Sequence, residues 1–162
     1  MNNYYISKFE TVYSFKPAKR KHQVIEDINK LYNWLEANNF PNWNTRLVTE
    51  QKGDFPGGYF ALMFECESGI FANGERLFHF FSFSEITEYY NNCNFSKYMP
   101  FALPFAADGC GNFYIFNFRE SDPCIYVVNS ENLGWDKDKC FKISNDFTEL
   151  ISQNIPLEKL MR

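Results

Sequence analysis

Apolar positions first fall into register at Val24, Ile28, Leu31 and Leu35, with Ile25 and Tyr32 widening the stripe. This i, i+4, i+7, i+11 spacing predicts an amphipathic helix over His22–Asn38 whose polar face carries Glu26, Asn29, Asn33 and Glu36. Asn38-Asn39-Phe40-Pro41 closes it, because a proline drives the preceding residue out of the α region. Ahead of the helix, Met1–Pro17 has weak periodicity and reads equally as an added edge strand or as a docked arm. Behind it, Pro41–Gly58 is a polar connection with Trp43, Leu47 and Val48 as tuck-in points. Tyr59–Cys66 (YFALMFEC) is apolar almost all round. Phe60, Met63 and Phe64 keep helical spacing and Ala, Leu and Met favour helix, so a short helix is expected there.

The pattern then changes to that of strands. Ile70–Phe83 reads as a hairpin, with Asn73-Gly74 as its turn signal. Ser82 and Glu85 stand at capping-box spacing, with Ser84 as the other N-cap candidate, ahead of a helix packing Ile86, Tyr89 and Tyr90. Asn92–Met99 reads as a link. In Pro100–Phe118 (PFALPFAADGCGNFYIFNF) two aromatic-rich runs flank Asp108-Gly109-Cys110-Gly111. Glycines supply positive φ there, and the Asp108 side chain can bond the backbone two residues on. Cys124–Asn129 adds another strand, so Pro100–Asn129 is expected as an antiparallel meander whose middle strand, Phe113–Phe118, is buried on much of both faces. Asn129–Lys139 is a polar loop holding Trp135, and Cys140–Ile143 reads as a last strand. A helix carrying Phe147, Leu150 and Ile151 follows, capped by Ser144 or Asn145 and ended by Pro156, with Leu157–Arg162 as a tail. The element order predicts a single α+β domain over residues 1–162, with an antiparallel sheet of about five or six strands and helices mainly on one face.

The run Pro104-Phe105-Ala106-Ala107-Asp108-Gly109-Cys110-Gly111-Asn112-Phe113-Tyr114, then Pro123-Cys124-Ile125-Tyr126-Val127, then Phe147-Thr148-Glu149-Leu150-Ile151, resembles the SUKH superfamily (Smi/Knr-like). The resemblance is clearest over residues 69–151 and slight before residue 55, with residues 1–20 as an N-terminal arm. That superfamily holds a fungal cell-wall-synthesis regulator and many bacterial immunity proteins of toxin systems. Its α+β fold agrees with the element order, and it also places a short helix at Tyr59–Cys66. Glu67-Ser68-Gly69 departs from the commoner Asn-Gly-Gly-like turn. At Asp108, Gly109, Gly111 and Asn112 the family-like positions are assigned to fold rather than binding.

Charge and cysteine content narrow the classes. The 162 residues carry 16 Lys+Arg against 20 Asp+Glu, a formal charge of −4. No domain-scale basic face is expected, which argues against nucleic acid as partner. The single basic cluster, Lys16–Lys21 (KPAKRK), reads as a solvated lead-in to the helix rather than a phosphate contact. Neither a signal peptide nor a run of about 18 apolar residues is visible, so no membrane association is expected. The five cysteines (Cys66, Cys93, Cys110, Cys124 and Cys140) form no C-x-x-C pair and read as reduced thiols packed as small hydrophobes, which places the chain in the cytoplasm.

An enzyme would have to start from Cys110, His79 and Asp108 as nucleophile, base and orienter. Asp108 disfavours the Cys110 thiolate, and His79 lies mid-strand among phenylalanines, where a structural role is commoner. Gly109 and Gly111 are followed by a strand instead of the helix that a phosphate-cradling loop needs. The carboxylate pairs Glu65/Glu67, Glu120/Asp122 and Asp136/Asp138 read as solvated loop charges. No catalytic residue, metal ligand or cofactor is therefore expected.

Protein binding gives the loops another meaning. Trp135 beside Asp136 and Asp138 has the composition of a hot spot with a polar rim, although folding of the indole over a sheet edge explains it as well. Glu120 and Asp122 lie in a second loop whose proximity to Trp135 the sequence leaves open. The resemblance implies a non-catalytic immunity protein that occludes a cognate toxin, with Trp135, Asp136, Asp138, Glu120 and Asp122 as contact candidates. The alternative is a regulatory or scaffold domain binding an endogenous protein.

Overall fold

A computed structural model describes residues 4–41, 58–121 and 123–161. Its seven strands form one sheet, β1 (Thr11–Pro17), β2 (Cys66–Asn73), β3 (Arg76–Phe80), β4 (Ala102–Ala107), β5 (Asn112–Asn117), β6 (Ile125–Asn129) and β7 (Cys140–Ser144). Spatial order equals chain order, and every neighbouring pair is antiparallel. Five helices accompany it, α1 (Lys21–Ala37), α2 (Tyr59–Met63), α3 (Phe83–Asn92), α4 (Phe95–Tyr98) and α5 (Phe147–Ile151). The expected α+β domain is present, with seven strands instead of five or six. The addition is β1, so Met1–Pro17 supplies an edge strand. Trp43, Leu47 and Val48 lie outside the described residues.

Helix α1 buries Val24, Ile28, Leu31, Tyr32 and Leu35, the stripe its periodicity predicts. Its end is a Schellman motif rather than a proline effect alone. Asn39 takes φ 59°, its N–H donates to the Glu36 carbonyl, and the Phe40 N–H donates to the Leu35 carbonyl (3.0 and 2.9 Å). Helix α3 starts on the expected capping box, with Glu85 N–H donating to Ser82 Oγ and Ser82 N–H to Glu85 Oε1. For α5 the N-cap is Asp146, whose Oδ1 accepts from Glu149 N–H at 2.7 Å. Ser144 is instead the last residue of β7. The link Asn92–Met99 folds into α4 and buries Phe95 and Met99. The expected tail also docks, with Leu157 1% exposed at the start of a 3-10 turn.

Every residue of β5 is buried. Side chains alternate across a strand, so neighbours meet different helices: Phe113 contacts Tyr89 of α3 and Phe95 of α4 at 5.4 and 5.5 Å between ring centroids. Phe116 instead meets Phe105 at 4.0 Å and Tyr59 of α2 at 5.7 Å. Tyr59 also reaches Phe147 of α5. Within the β4–β5 turn, Gly109 and Gly111 sit at φ 77° and 88°, where a side chain is strained. Asp108 accepts from the N–H groups of Cys110 (2.8 Å) and Asn112 (3.1 Å), and from Asn112 Nδ2 (2.8 Å). Asn129 on β6 donates in turn to Asn112 Oδ1, so the turn is tied to the next strand.

The β2–β3 turn is Gly74-Glu75, one residue later than Asn73-Gly74, because Asn73 pairs with Arg76 inside the ladder. The buried Asn73 amide spans three segments: its Oδ1 accepts from Glu10 N–H at 2.8 Å and its Nδ2 donates to the Ile151 carbonyl at the end of α5. Glu65 is likewise buried rather than solvated, and accepts from the N–H groups of Tyr5 and Ile6 at 2.9 and 3.0 Å. The basic cluster behaves as expected at Lys16 and Lys19, which pair with Glu67 and Asp27 at the surface.

Cys66, Cys124 and Cys140 are buried and Cys93 is half-buried, whereas Cys110 is exposed. Burial pushes the thiols of Cys66 and Cys140 up to about 12. In the native protein Cys110 is therefore expected to alkylate first at about pH 8, with Cys66 and Cys140 labelled only after unfolding. Mass mapping of a quenched time course checks this. Asn73→Ala should destabilise by about 2 kcal/mol in urea titrations, because it strands a backbone donor and a buried carbonyl. Glu75→Ala, at an exposed turn position, should stay within about 0.5 kcal/mol of the parent. Equal losses in the two variants would remove the Asn73 clamp.

Candidate partner-binding cleft

Trp135 lies in the connection between β6 and β7, whose ends are held by turns. Ser130 N–H donates to the Gly111 carbonyl, and the N–H groups of Lys139 and Cys140 donate to the Asp136 carbonyl. These bonds bring the indole back over the chain. Its Nε1 donates to the Pro100 carbonyl at 3.0 Å, the Arg119 guanidinium lies 4.7 Å from its ring centroid, and Tyr126 meets it edge-on at 6.1 Å. Trp135 is thus half-buried over the sheet, the second of its two readings.

Folding back leaves a cleft. Pro41, Pro100, Phe101, Arg119 and Trp135 line a space of about 480 Å³. Phe101 enters β4 at φ 71°, a conformation that costs a bulky side chain of order 1–3 kcal/mol and collects at ligand clamps and switch regions. Two contacts hold it there: its carbonyl accepts from Phe118 N–H at 2.9 Å, and its ring meets Phe40 at 5.8 Å. The cleft therefore has a half-buried aromatic wall, Phe101 and Trp135, and one exposed cation, Arg119.

The acidic candidates divide. Glu120 lies beside the cleft without lining it: Tyr126 Oη is 3.5 Å from Glu120 Oε1 while the same ring meets Trp135. Asn117 Nδ2 also reaches Glu120 at 3.5 Å. Asp136 stands 75% exposed beside Trp135, 3.6 Å from Lys139 Nζ, and Asp138 is exposed in the same turn. Asp122 lies outside the described residues. Pro41, Pro100, Phe101, Arg119 and Tyr126 were not among the expected contacts. Arg119, adjacent to Glu120, is the one with a sequence cue, a cation in an aromatic-rich chain. Nothing in a Phe codon position announces a left-handed backbone.

Of the three residues an enzyme would start from, Asp108 and His79 have other neighbours, and Cys110 is exposed. Asp108 spends its oxygens on the turn, as described. His79 Nε2 lies 3.8 Å from Glu85 Oε2, and its ring stands edge-on to Phe81 at 5.4 Å. Among the described residues, no group of three or more His, Cys, Asp or Glu side chains could hold a metal ion, and no helix is long and apolar enough to cross a membrane.

No curated protein matches the chain. The family model that does match covers residues 26–153, from α1 through α5, and so takes in the meander, the Asp108 turn and the cleft's Trp135, Arg119 and Phe101. The chain belongs to the SMI1/KNR4 family (SUKH-1), a family that includes immunity proteins and is generally non-catalytic.

Proposed function

We propose that this protein is an immunity protein that binds a cognate toxin through the Trp135 cleft and occludes the toxin's active or substrate-binding surface. The observation that carries the choice of site is the half-buried indole under Arg119 beside a strained Phe101. Trp and Arg are the residues that most often anchor interfaces. Glu120, Asp136 and Asp138 form an exposed acidic rim that would speed encounter with a basic toxin, and Asp122 adds a further negative charge two residues after Glu120 in the sequence. Family membership supports a protein partner, and its identity is open to experiment. A regulatory or scaffold domain with an endogenous partner is the second reading, which the fungal branch of the family favours.

Co-purification with the product of the adjacent gene, followed by titration, tests the proposal. Tight 1:1 binding with loss of toxicity is expected. Trp135→Ala should then weaken binding by about 30-fold or more, the hot-spot range. Asp136→Lys with Asp138→Lys, at exposed positions that do not hold the fold, should mainly slow association, and the slowing should fade at high salt. If no neighbouring product binds, the toxin reading fails. Binding that persists unchanged in both variants would instead move the interface elsewhere on the molecule.

A further inference from the structure

The β2–β3 turn is strapped to the segment after α5. Glu75 N–H donates to the Asn154 carbonyl at 3.1 Å. From Arg76, Nε donates to the Ile155 carbonyl at 2.6 Å and Nη1 to Gln153 Oε1 at 2.9 Å. Arg76 is 1% exposed, and its Nη2 has no hydrogen-bond partner. Among the described residues, no carboxylate lies within ion-pair distance of it. Burial lowers the guanidinium's pKa, an effect opposed by the neighbouring Tyr114 hydroxyl and by the charge of Asp108. Asp108 is committed to its own turn. A full positive charge is thus buried against neutral acceptors, an arrangement that is costly without a counter-ion.

The same arginine lines a cavity of about 460 Å³ between β7 and the C-terminal segment, with Lys142, Ile143, Gln153, Asn154, Ile155 and Leu160. Two of the apolar walls reach solvent, Ile155 at 48% and Leu160 at 36% exposure. One end of the cavity therefore lacks an anion and the other lacks an apolar cover. We propose that this cavity binds a carboxylate carried on a short aliphatic body. The carboxylate replaces Gln153 Oε1 on Nη1, since a charge-assisted hydrogen bond is stronger than a neutral one. The aliphatic body covers Ile155 and Leu160. Phosphate fits less well, because its larger charge would meet three aliphatic walls beside Arg76 and Lys142. The site shares no lining residue with the Trp135 cleft and does not depend on the toxin reading.

The test is NMR titration of the full chain with 4-methylvalerate, its neutral amide and inorganic phosphate. Only the acid should bind, shifting the amides of Gln153 and Ile155, and it should raise the melting temperature. Arg76→Met should weaken it by about tenfold or more. Because that buried variant can fail to fold, Ile155→Asp at the exposed wall gives a second reading, with a loss of similar size expected from repulsion. A peptide ending in leucine, with free or amidated C-terminus, separates the two sources of such a carboxylate. Tighter binding of the free-ended peptide than of 4-methylvalerate assigns a polypeptide end, and the reverse assigns a small acid. No binding of either at up to about 10 mM, equal binding of the neutral amide or of phosphate, or undiminished binding to Ile155→Asp would overturn the proposal.

Discussion

Strand β5 has no side chain left for water, and this constraint organises the domain. A strand with one wet face could end the fold at a sheet and a single layer. Here Phe113 and Phe116 point to different neighbours, so α3 and α4 must close over one and α2 with α5 over the other. Burial on this scale is the largest favourable contribution available, at roughly 25 cal/mol per Å² of apolar surface. It also fixes register, because a slip of one residue would exchange the two sets of aromatic partners. The Asp108–Asn112–Asn129 chain of hydrogen bonds sets that register from the turn end.

Polar groups do the joining where apolar packing stops. Glu65 holds the N-terminal turn, Asn73 joins it to the end of α5, and Arg76 straps the segment beyond. All three are buried and sit on or beside the β2–β3 hairpin. That hairpin is the point where segments from both ends of the chain meet. Removal of any partner would leave a buried group unpaired, which is costlier than the bond's net worth. The two clefts described above lie where this joining is incomplete, one beside a strained Phe101 and one beside an under-partnered Arg76.

Much of this was legible in the sequence because it is local. The α1 stripe, the Ser82–Glu85 box and the Asp108-Gly109-Cys110-Gly111 turn each depend on residues within a few positions of one another. β1 was ambiguous because all seven of its residues are exposed, and an edge strand under no burial constraint writes no period. Asp146 was overlooked as a cap because Ser144 and Asn145 are equally suited to the role and only the length of β7 decides among them. Glu65 and Arg76 look like surface charges in a linear reading, since their partners are tens of residues away. At the cleft, Trp135 and Glu120 were recognisable by type, whereas their meeting on Tyr126 required the β5–β6–β7 pairing.

Spatial order that equals chain order has a consequence for synthesis. Each strand that leaves the ribosome finds its partner already present, immediately before it, so the sheet can lengthen one edge at a time without threading. The same order makes the cover of β5 late to arrive. Phe105 and Phe116 find Tyr59 already present, but they and that tyrosine wait for Phe147 near the end of the chain. Until α5 emerges, the growing sheet presents an aromatic face to its surroundings, the kind of surface that chaperones hold and that aggregation exploits.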